Sequence, residues 1–172
     1  MQIPRLETER LILRAIDPVR DFDGWADSMG DDETVRYLGG QTMDRSVAWR
    51  NMAMVIGHWH IRGFGFFSVE EKHTGDWVGR VGPWYPDGWP EPEIGWTIRR
   101  SSWGKGYATE AGRACIDFVR DELRWERVIH AIIEGNEGSA AVARKLGSSK
   151  LRDQVGLGGV TDERVWIYGQ SF

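Results

Sequence analysis

The chain has 172 residues and a formal net charge of −4, with 41% hydrophobic and 28% charged residues. This composition is ordinary for one globular domain, and its negative balance argues against a nucleic-acid-binding surface. No apolar run resembles a signal peptide or reaches the ~18 residues of a membrane span, so we expect neither export nor a membrane partner. The lone Cys115 cannot form an internal disulfide, which favours a reducing, cytoplasmic location.

The first half of the chain predicts one strand, two helices and a hairpin. The strand covers residues 10–15, the first helix covers 20–29, and Thr42 is expected to cap a second helix that runs to about Arg62. Two antiparallel strands follow at 64–70 and 76–81. The second helix is expected to bury one apolar face, made of Ala48, Trp49, Met52, Val55, Ile56 and Trp59.

The second half predicts a loop followed by alternating strands and helices. The Pro- and Trp-containing loop covers residues 83–92. The elements after it are a strand at 93–99, a helix at 104–123, a strand at 127–134, a helix at 136–146 stopped by Gly147, and strands near 150–155 and 164–169. The order βααβββαβαββ predicts a single α/β domain over residues 1–172, without a repeat or linker.

Two glycines stand at the junction between the strand at 93–99 and the following helix. Gly104 and Gly106 let the backbone pass close to a ligand, and the first helical turn offers unpaired N–H groups to a phosphate. A lone G-x-G is often only structural. Tyr107 excludes a Walker loop, which needs Lys there, and Thr109 replaces the third glycine of a dinucleotide-binding fingerprint.

Four motifs occur in order along the chain: LETERLILR at 6–14, E-x-G-W at 93–96, WGKGYATEA at 103–111, and N-x-x-S followed by K-L-G at 136–139 and 145–147. Together they resemble the GNAT family of N-acetyltransferases, and in particular its ribosomal-protein-alanine N-acetyltransferase branch. The stretch at 103–111 is similar to the family's motif A, although Ser101 departs from its usual Gln or Arg.

The resemblance implies a mixed central sheet with two splayed parallel strands and flanking helices. It also implies acetyl-CoA as cosubstrate without a metal, and direct transfer to an amine in a ternary complex. The acceptor is left open between a protein N-terminus and a small molecule, and a homodimer is also open. The residues that the resemblance assigns to the cofactor are Trp96, Thr97, Ile98, Trp103, Gly104, Lys105, Gly106, Tyr107, Ala108, Thr109 and Asn136.

Acyl transfer to an amine needs a base for the ammonium and a proton for the leaving thiolate. Glu93, at the head of the cofactor strand, is the candidate base, and its alternative is a surface carboxylate at a strand edge. The resemblance suggests Ser139 as the candidate acid, and its alternative is a residue that only stabilises the first helical turn. The Tyr that the wider family uses after K-L-G is absent, because Ser148 and Ser149 stand there.

Other polar residues have simpler interpretations. Asn136 fits a helix N-cap as well as a pantetheine contact, and Glu110 has the spacing of a surface pair with Arg113. His130 is expected in the core or lining a groove, whereas His58 and His60 face apart and do not form a metal pair. Besides the enzyme, a non-catalytic acyl-CoA-binding domain and a purely structural role for the glycines remain open.

Overall fold

The structure is a computed structural model that describes residues 2–172. Along these residues, helices and strands follow one another with short connections. The strands are β1 (Leu6–Glu7), β2 (Leu11–Arg14), β3 (Phe67–Glu71), β4 (Trp77–Trp84), β5 (Glu93–Ile98), β6 (Arg127–Ile133), β7 (Ser149–Leu157) and β8 (Thr161–Ser171). The helices are α1 (Phe22–Gly30), α2 (Asp32–Val35), α3 (Arg45–Arg62), α4 (Tyr107–Asp121) and α5 (Glu137–Lys145).

The eight strands form one mixed sheet in the order β1-β2-β3-β4-β5-β6-β8-β7. Its neighbouring strands are antiparallel except for β5 and β6, which run parallel in the middle of the sheet. A parallel pair needs a crossover connection, and α4 provides it. The predicted α/β fold with a mixed sheet is therefore confirmed.

Helices cover both faces of the sheet. Helix α4 buries Tyr107, Ala111, Cys115, Phe118 and Val119 against one face, as its helical spacing predicts. The opposite face carries an aromatic cluster in which helix residues, among them Trp25 and Met52, meet Trp77 of β4 and Phe66, which directly precedes β3. No helix among residues 2–172 combines the length and the hydropathy that a bilayer crossing needs.

Several local predictions were wrong. Helix α3 is capped by Asp44, whose side chain accepts a hydrogen bond from the N–H of Val47, and not by Thr42. The side chain of Trp49 is 56% exposed, because the buried stripe follows Ala48, Met52 and Val55. The short β1 and α2 were also not predicted, since neither is long enough to show a period.

The predicted loop at 83–92 begins later than expected, because β4 continues through Pro83 and Trp84. Pro83 is opposite Ile94 of β5, and on its other side β3 has not yet begun. The missing N–H of proline therefore costs no ladder hydrogen bond at this position.

Candidate active site

The parallel strands β5 and β6 separate almost as soon as they meet. Glu93 and Ile129 are their only registered pair among the described residues, and the N–H of Ile129 donates to the carbonyl of Pro92 at 3.0 Å. Beyond that pair, β5 continues to Ile98 and β6 to Ile133. The two strands thus form a fork that opens toward their carboxyl ends, as the resemblance implied.

Side chains close the base of the fork. The Glu93 carboxylate lies near the backbone N–H of Ala131, which is two residues beyond the last registered pair and lowers the carboxylate's pKa. On the same two strands, Nδ1 of His130 lies 2.7 Å from the carbonyl oxygen of Ile94. The His130 contact satisfies a carbonyl that the separation of the strands would otherwise leave unpaired.

The hydrogen-bonding direction along β5 alternates between β4 and the fork. The N–H of Arg99 donates to Val78 of β4 at 2.9 Å, so every second residue, including Thr97, also faces β4. The backbone groups of Trp96 and Ile98 consequently face the fork. At its open end, the indole of Trp103 donates to the carbonyl of Ile98 at 2.6 Å.

The glycine loop leads directly into α4. Gly104 has φ of +74° and Gly106 has φ of +82°, a left-handed conformation that favours glycine. Gly106 is the N-cap of α4 and provides no capping side chain, so the N–H groups of the first turn stay available. A cavity of about 550 Å³ adjoins this turn, with Gly106, Thr109 and Lys145 in its lining.

Arg10 holds the glycine loop from the far end of the chain. Its Nη1 donates to the carbonyl of Lys105 at 2.9 Å, and its Nε donates to the Glu110 carboxylate at 2.7 Å. The predicted pair of Glu110 with Arg113 is therefore wrong, because Arg113 donates to the carbonyl of Lys145 instead. Glu110 is a structural anchor that ties α4 to the segment before β2.

Glu93 is a buried carboxyl group and not an exposed one at a strand edge. Glu93 is only 7% exposed, and its Oε2 accepts a hydrogen bond of 2.6 Å from the indole of Trp89. Burial raises the pKa of Glu93 to about 7, although the hydrogen bond from Trp89 and the nearby N–H of Ala131 act in the opposite direction. Such a carboxyl group exchanges protons near neutral pH.

Asn136 and Ser139 lie together at the start of α5. The side-chain oxygen of Asn136 accepts the N–H of Ser139 at 3.0 Å, which confirms the predicted N-cap. The hydroxyl of Ser139 in turn accepts a hydrogen bond of 3.1 Å from the indole of Trp96 on β5. The Ser139 hydroxyl hydrogen then remains available to an acceptor in the fork.

His130 and His58 occupy buried, structural positions. His130 is 1% exposed, and burial lowers its pKa to about 4. Its Nε2 lies 3.0 Å from the hydroxyl of Ser148, so this serine after K-L-G is engaged in the core. His58 is buried between the carbonyl of Phe64 and the N–H of Tyr85, while His60 is exposed. Residues 2–172 contain no group of three His, Cys, Asp or Glu side chains arranged for a metal.

Residues 10–149 match a family model described as an acetyltransferase (GNAT) domain. The chain belongs to the GNAT family. GNAT proteins transfer acetyl groups from acetyl-CoA to amine-bearing substrates, and this chain is accordingly an acetyltransferase. The fork, the glycine loop and the open first turn of α4 fit that cosubstrate, because they offer an unpaired strand edge and free N–H groups.

Individual proteins and solved structures resemble the chain over most of its length. An uncharacterized Bacillus subtilis protein, YkkB, is 30% identical over 151 residues, which are 83% of this chain and 84% of that protein. An Agrobacterium tumefaciens acetyltransferase structure is 27% identical with a TM-score of 0.85, covering 100% of this chain and 96% of that one. The CoA complex of RimL, a ribosomal L7/L12 α-N-protein acetyltransferase, shares the fold at 15% identity, with a TM-score of 0.78 and coverage of 98% of each chain.

Sequence reasoning missed two residues that the structure brings to the candidate site. Arg10 belongs to the opening motif, but its partner Lys105 is 95 residues away. Trp89 is four residues before Glu93 in the proline-containing loop. The tryptophans of the loop just before Glu93 could have indicated a role for Trp89. No local pattern indicates the role of Arg10.

Proposed function

We propose that the chain is an acetyl-CoA-dependent N-acetyltransferase that transfers the acetyl group directly to a primary amine in a ternary complex, without a metal. The observation that supports this most strongly is the fork between β5 and β6, which ends at the glycine loop on one side and starts at Glu93 on the other. Cosubstrate and base are thereby assigned to one continuous cleft. We further propose that residues 1–172 act as a single catalytic domain.

The cosubstrate's pantetheine arm would lie along β5. The backbone groups of Trp96 and Ile98 would bind it, Thr97 keeps that strand paired to β4, and Asn136 approaches from the start of α5. The pyrophosphate would bind the N–H groups of the loop and first helical turn. The residues assigned to this loop and turn are Trp103, Gly104, Lys105, Gly106, Tyr107, Ala108 and Thr109.

Glu93 would act as the general base. A primary alkylamine with a pKa of about 10.4 is nearly all ammonium at pH 7, and an ammonium is not a nucleophile. A carboxylate with a pKa of about 7 is a better proton acceptor than an ordinary surface glutamate. Glu93 would take the proton directly or through one water, while Trp89 holds the carboxylate in place.

Ser139 would protonate the departing thiolate and regain a proton from the attacking nitrogen, which loses its second proton as the amide forms. Acetyl-CoA supplies the acetyl group as a thioester. Its sulfur leaves as a thiolate, which must gain a proton to become the thiol. The Trp96 indole donates to the Ser139 oxygen, which orients the hydroxyl and leaves its hydrogen free for the sulfur. With Ser148 engaged by His130, Ser139 is the hydroxyl that the start of α5 presents to the fork.

The proposal is tested by incubating the chain with acetyl-CoA and a panel of amines and detecting released CoA. The panel contains peptides with free α-amino ends, polyamines, amino sugars and aminoglycosides. Acetylation of at least one acceptor at a rate above hydrolysis is the expected result. Binding of CoA without turnover by any acceptor would favour the alternative, a non-catalytic acyl-CoA-binding domain.

A further inference from the structure

Arg80 of β4 is a charged residue without a charged partner. Its Nε is buried and has no hydrogen-bond acceptor among residues 2–172. Burial lowers the pKa of Arg80 to about 10, and no nearby carboxylate opposes that effect. A buried cation is normally paired, so an unpaired one indicates that an anionic ligand binds there from outside the chain.

Aromatic rings restrict the way in which such an anion can approach. The guanidinium carbon of Arg80 lies 4.9 Å from the ring centre of Trp25 and 4.6 Å from that of Phe66. These contacts stabilise the cation through its faces but accept none of its N–H groups in the plane. Nε is enclosed, but the residue as a whole is partly exposed. The two terminal nitrogens are therefore the atoms that can donate hydrogen bonds to a ligand.

Arg80 lies on the same face of the sheet as Glu93. In the β4–β5 ladder, Arg80 is opposite Thr97 and Trp84 is opposite Glu93. Directly opposite residues share a face, and four residues along a strand span about 13 Å. The ring of Phe66 lies over Gly95 between them, because a Cβ on that glycine would be 3.0 Å from Cζ of Phe66.

We infer that Arg80 binds a carboxylate on the acceptor, whose amine is held at Glu93 at the other end of the same face. The inference rests on the proposed function and names the class of its substrate: amines that carry a carboxylate several bonds away. The connecting part of the acceptor would lie against Trp84, which is half-buried and whose ring centre is 5.1 Å from that of the buried Phe66.

The charge available at this position favours a carboxylate over a phosphate. The neighbouring guanidinium in the same row of the sheet is that of Arg14, across Ser68. Arg14 is already saturated by Asp21 at 2.7 Å and Glu70 at 2.8 Å. One unpaired, planar guanidinium group matches the single charge and planar geometry of a carboxylate.

The test compares ω-amino carboxylic acids of increasing chain length with their primary amides, which differ only in charge at the far end. For wild-type protein, at least one acid should have a kcat/KM on the order of tenfold to a hundredfold above that of its amide, the range expected for hydrogen bonds to a charged group. Arg80→Met should abolish the preference, and Arg80→Lys should keep part of it. Arg50→Met, on the exposed face of α3, is the matched control and should retain it.

CoA-induced stabilisation is measured for every variant, and Arg80→Met should leave it unchanged. Acetyl transfer with equal kcat/KM for acid and amide at every length would overturn the inference while leaving the acetyltransferase intact. A preference for aminoalkyl phosphates over the acids would equally overturn the carboxylate assignment. Absence of transfer to any amine would instead contradict the proposed function. If Arg80→Met does not fold, the wild-type comparison and Arg80→Lys still decide the question.

Discussion

The indole Nε1 of Trp96 donates a hydrogen bond of 3.1 Å to the hydroxyl oxygen of Ser139 and so joins β5 to α5 beside the open fork. The bond uses one lone pair of that oxygen and leaves its hydrogen unassigned. A side chain from the proposed cofactor strand therefore orients the proposed acid.

The first prediction concerns this pair. Ser139→Ala should lower kcat and leave CoA binding nearly unchanged, because only the proton for the thiolate is lost. Trp96→Phe should lower kcat less, since the hydroxyl remains but is no longer oriented. Ser171→Ala, at the exposed end of β8, is the control. Single-turnover kinetics check the chemical step, and an unchanged rate for Ser139→Ala would return this residue to a purely helical role.

The second prediction concerns Glu93 and pH. Because the base acts in its ionised form and its pKa is raised to about 7, wild-type kcat/KM should rise between pH 6 and 8. Glu93→Gln should lower kcat by about 10²–10⁴ and remove the inflection near pH 7, while CoA affinity stays the same. Activity should return partly at higher pH, where more of the amine is unprotonated. An α-amino acceptor, with a pKa of about 7.7 to 8.0, should be affected less.

Glu91→Gln is the matched control for that experiment. Glu91 lies two residues before Glu93 but pairs with Arg127 and Arg152 outside the fork, at 3.1 Å and 2.8 Å. It should keep the wild-type pH profile. Full activity of Glu93→Gln at pH 7 with every working acceptor would place the base elsewhere.

The third prediction separates backbone strain from cofactor binding at the glycine loop. Gly104 and Gly75 have nearly equal φ angles, +74° and +75°, and a Cβ at either would meet no atom within 4 Å. Gly104→Val and Gly75→Val should therefore destabilise the free protein by similar amounts. CoA at a hundredfold excess over its dissociation constant should stabilise wild type and Gly75→Val by about 2.7 kcal/mol.

Gly104→Val should lose that stabilisation, because the new side chain would occupy the place proposed for the phosphates. Gly106→Val should behave in the same way. Differential scanning fluorimetry with and without CoA measures all four proteins. Equal CoA shifts for Gly104→Val and Gly75→Val would remove the loop from the proposed cofactor site.

The fourth prediction concerns Arg10, which contacts the loop by way of the Lys105 carbonyl. Arg10→Met should weaken CoA binding by roughly two- to tenfold, the equivalent of one hydrogen bond of about 0.5–1.5 kcal/mol. Arg5→Met is the control, because Arg5 pairs only with the nearby Glu7 in the described part of the chain. Isothermal titration measures both, and equal affinities would show that the glycine loop keeps its shape without Arg10.

The sequence was sufficient for features encoded locally. Apolar periodicity predicted α4 and its buried stripe, and Gly104 with Gly106 marked the turn before it. Asn136 at the start of α5 was identified as an N-cap from position alone. Each of these depends on residues within one or two turns of each other, so a linear pattern carries the information.

Features that depend on distant residues could not be obtained in this way. The burial of Glu93 follows from Trp89 in the preceding loop and Ala131 on another strand. Glu110 has a correctly spaced Arg113, yet it binds Arg10, which is 100 residues earlier in the chain. Helical spacing predicts Arg113 as the partner of Glu110, but the fold brings Arg10 closer to the carboxylate.

The buried His130 fixes the direction of a whole series of hydrogens. The Ile94 carbonyl can only accept, so Nδ1 must carry the imidazole hydrogen and Nε2 must accept from the Ser148 hydroxyl. The Ser148 oxygen in turn accepts from the amide nitrogen of Gln170 at 3.0 Å. Donation therefore runs one way, from β8 through the segment after α5 to β6 and finally β5. Only one imidazole tautomer and one amide orientation satisfy every group along that route.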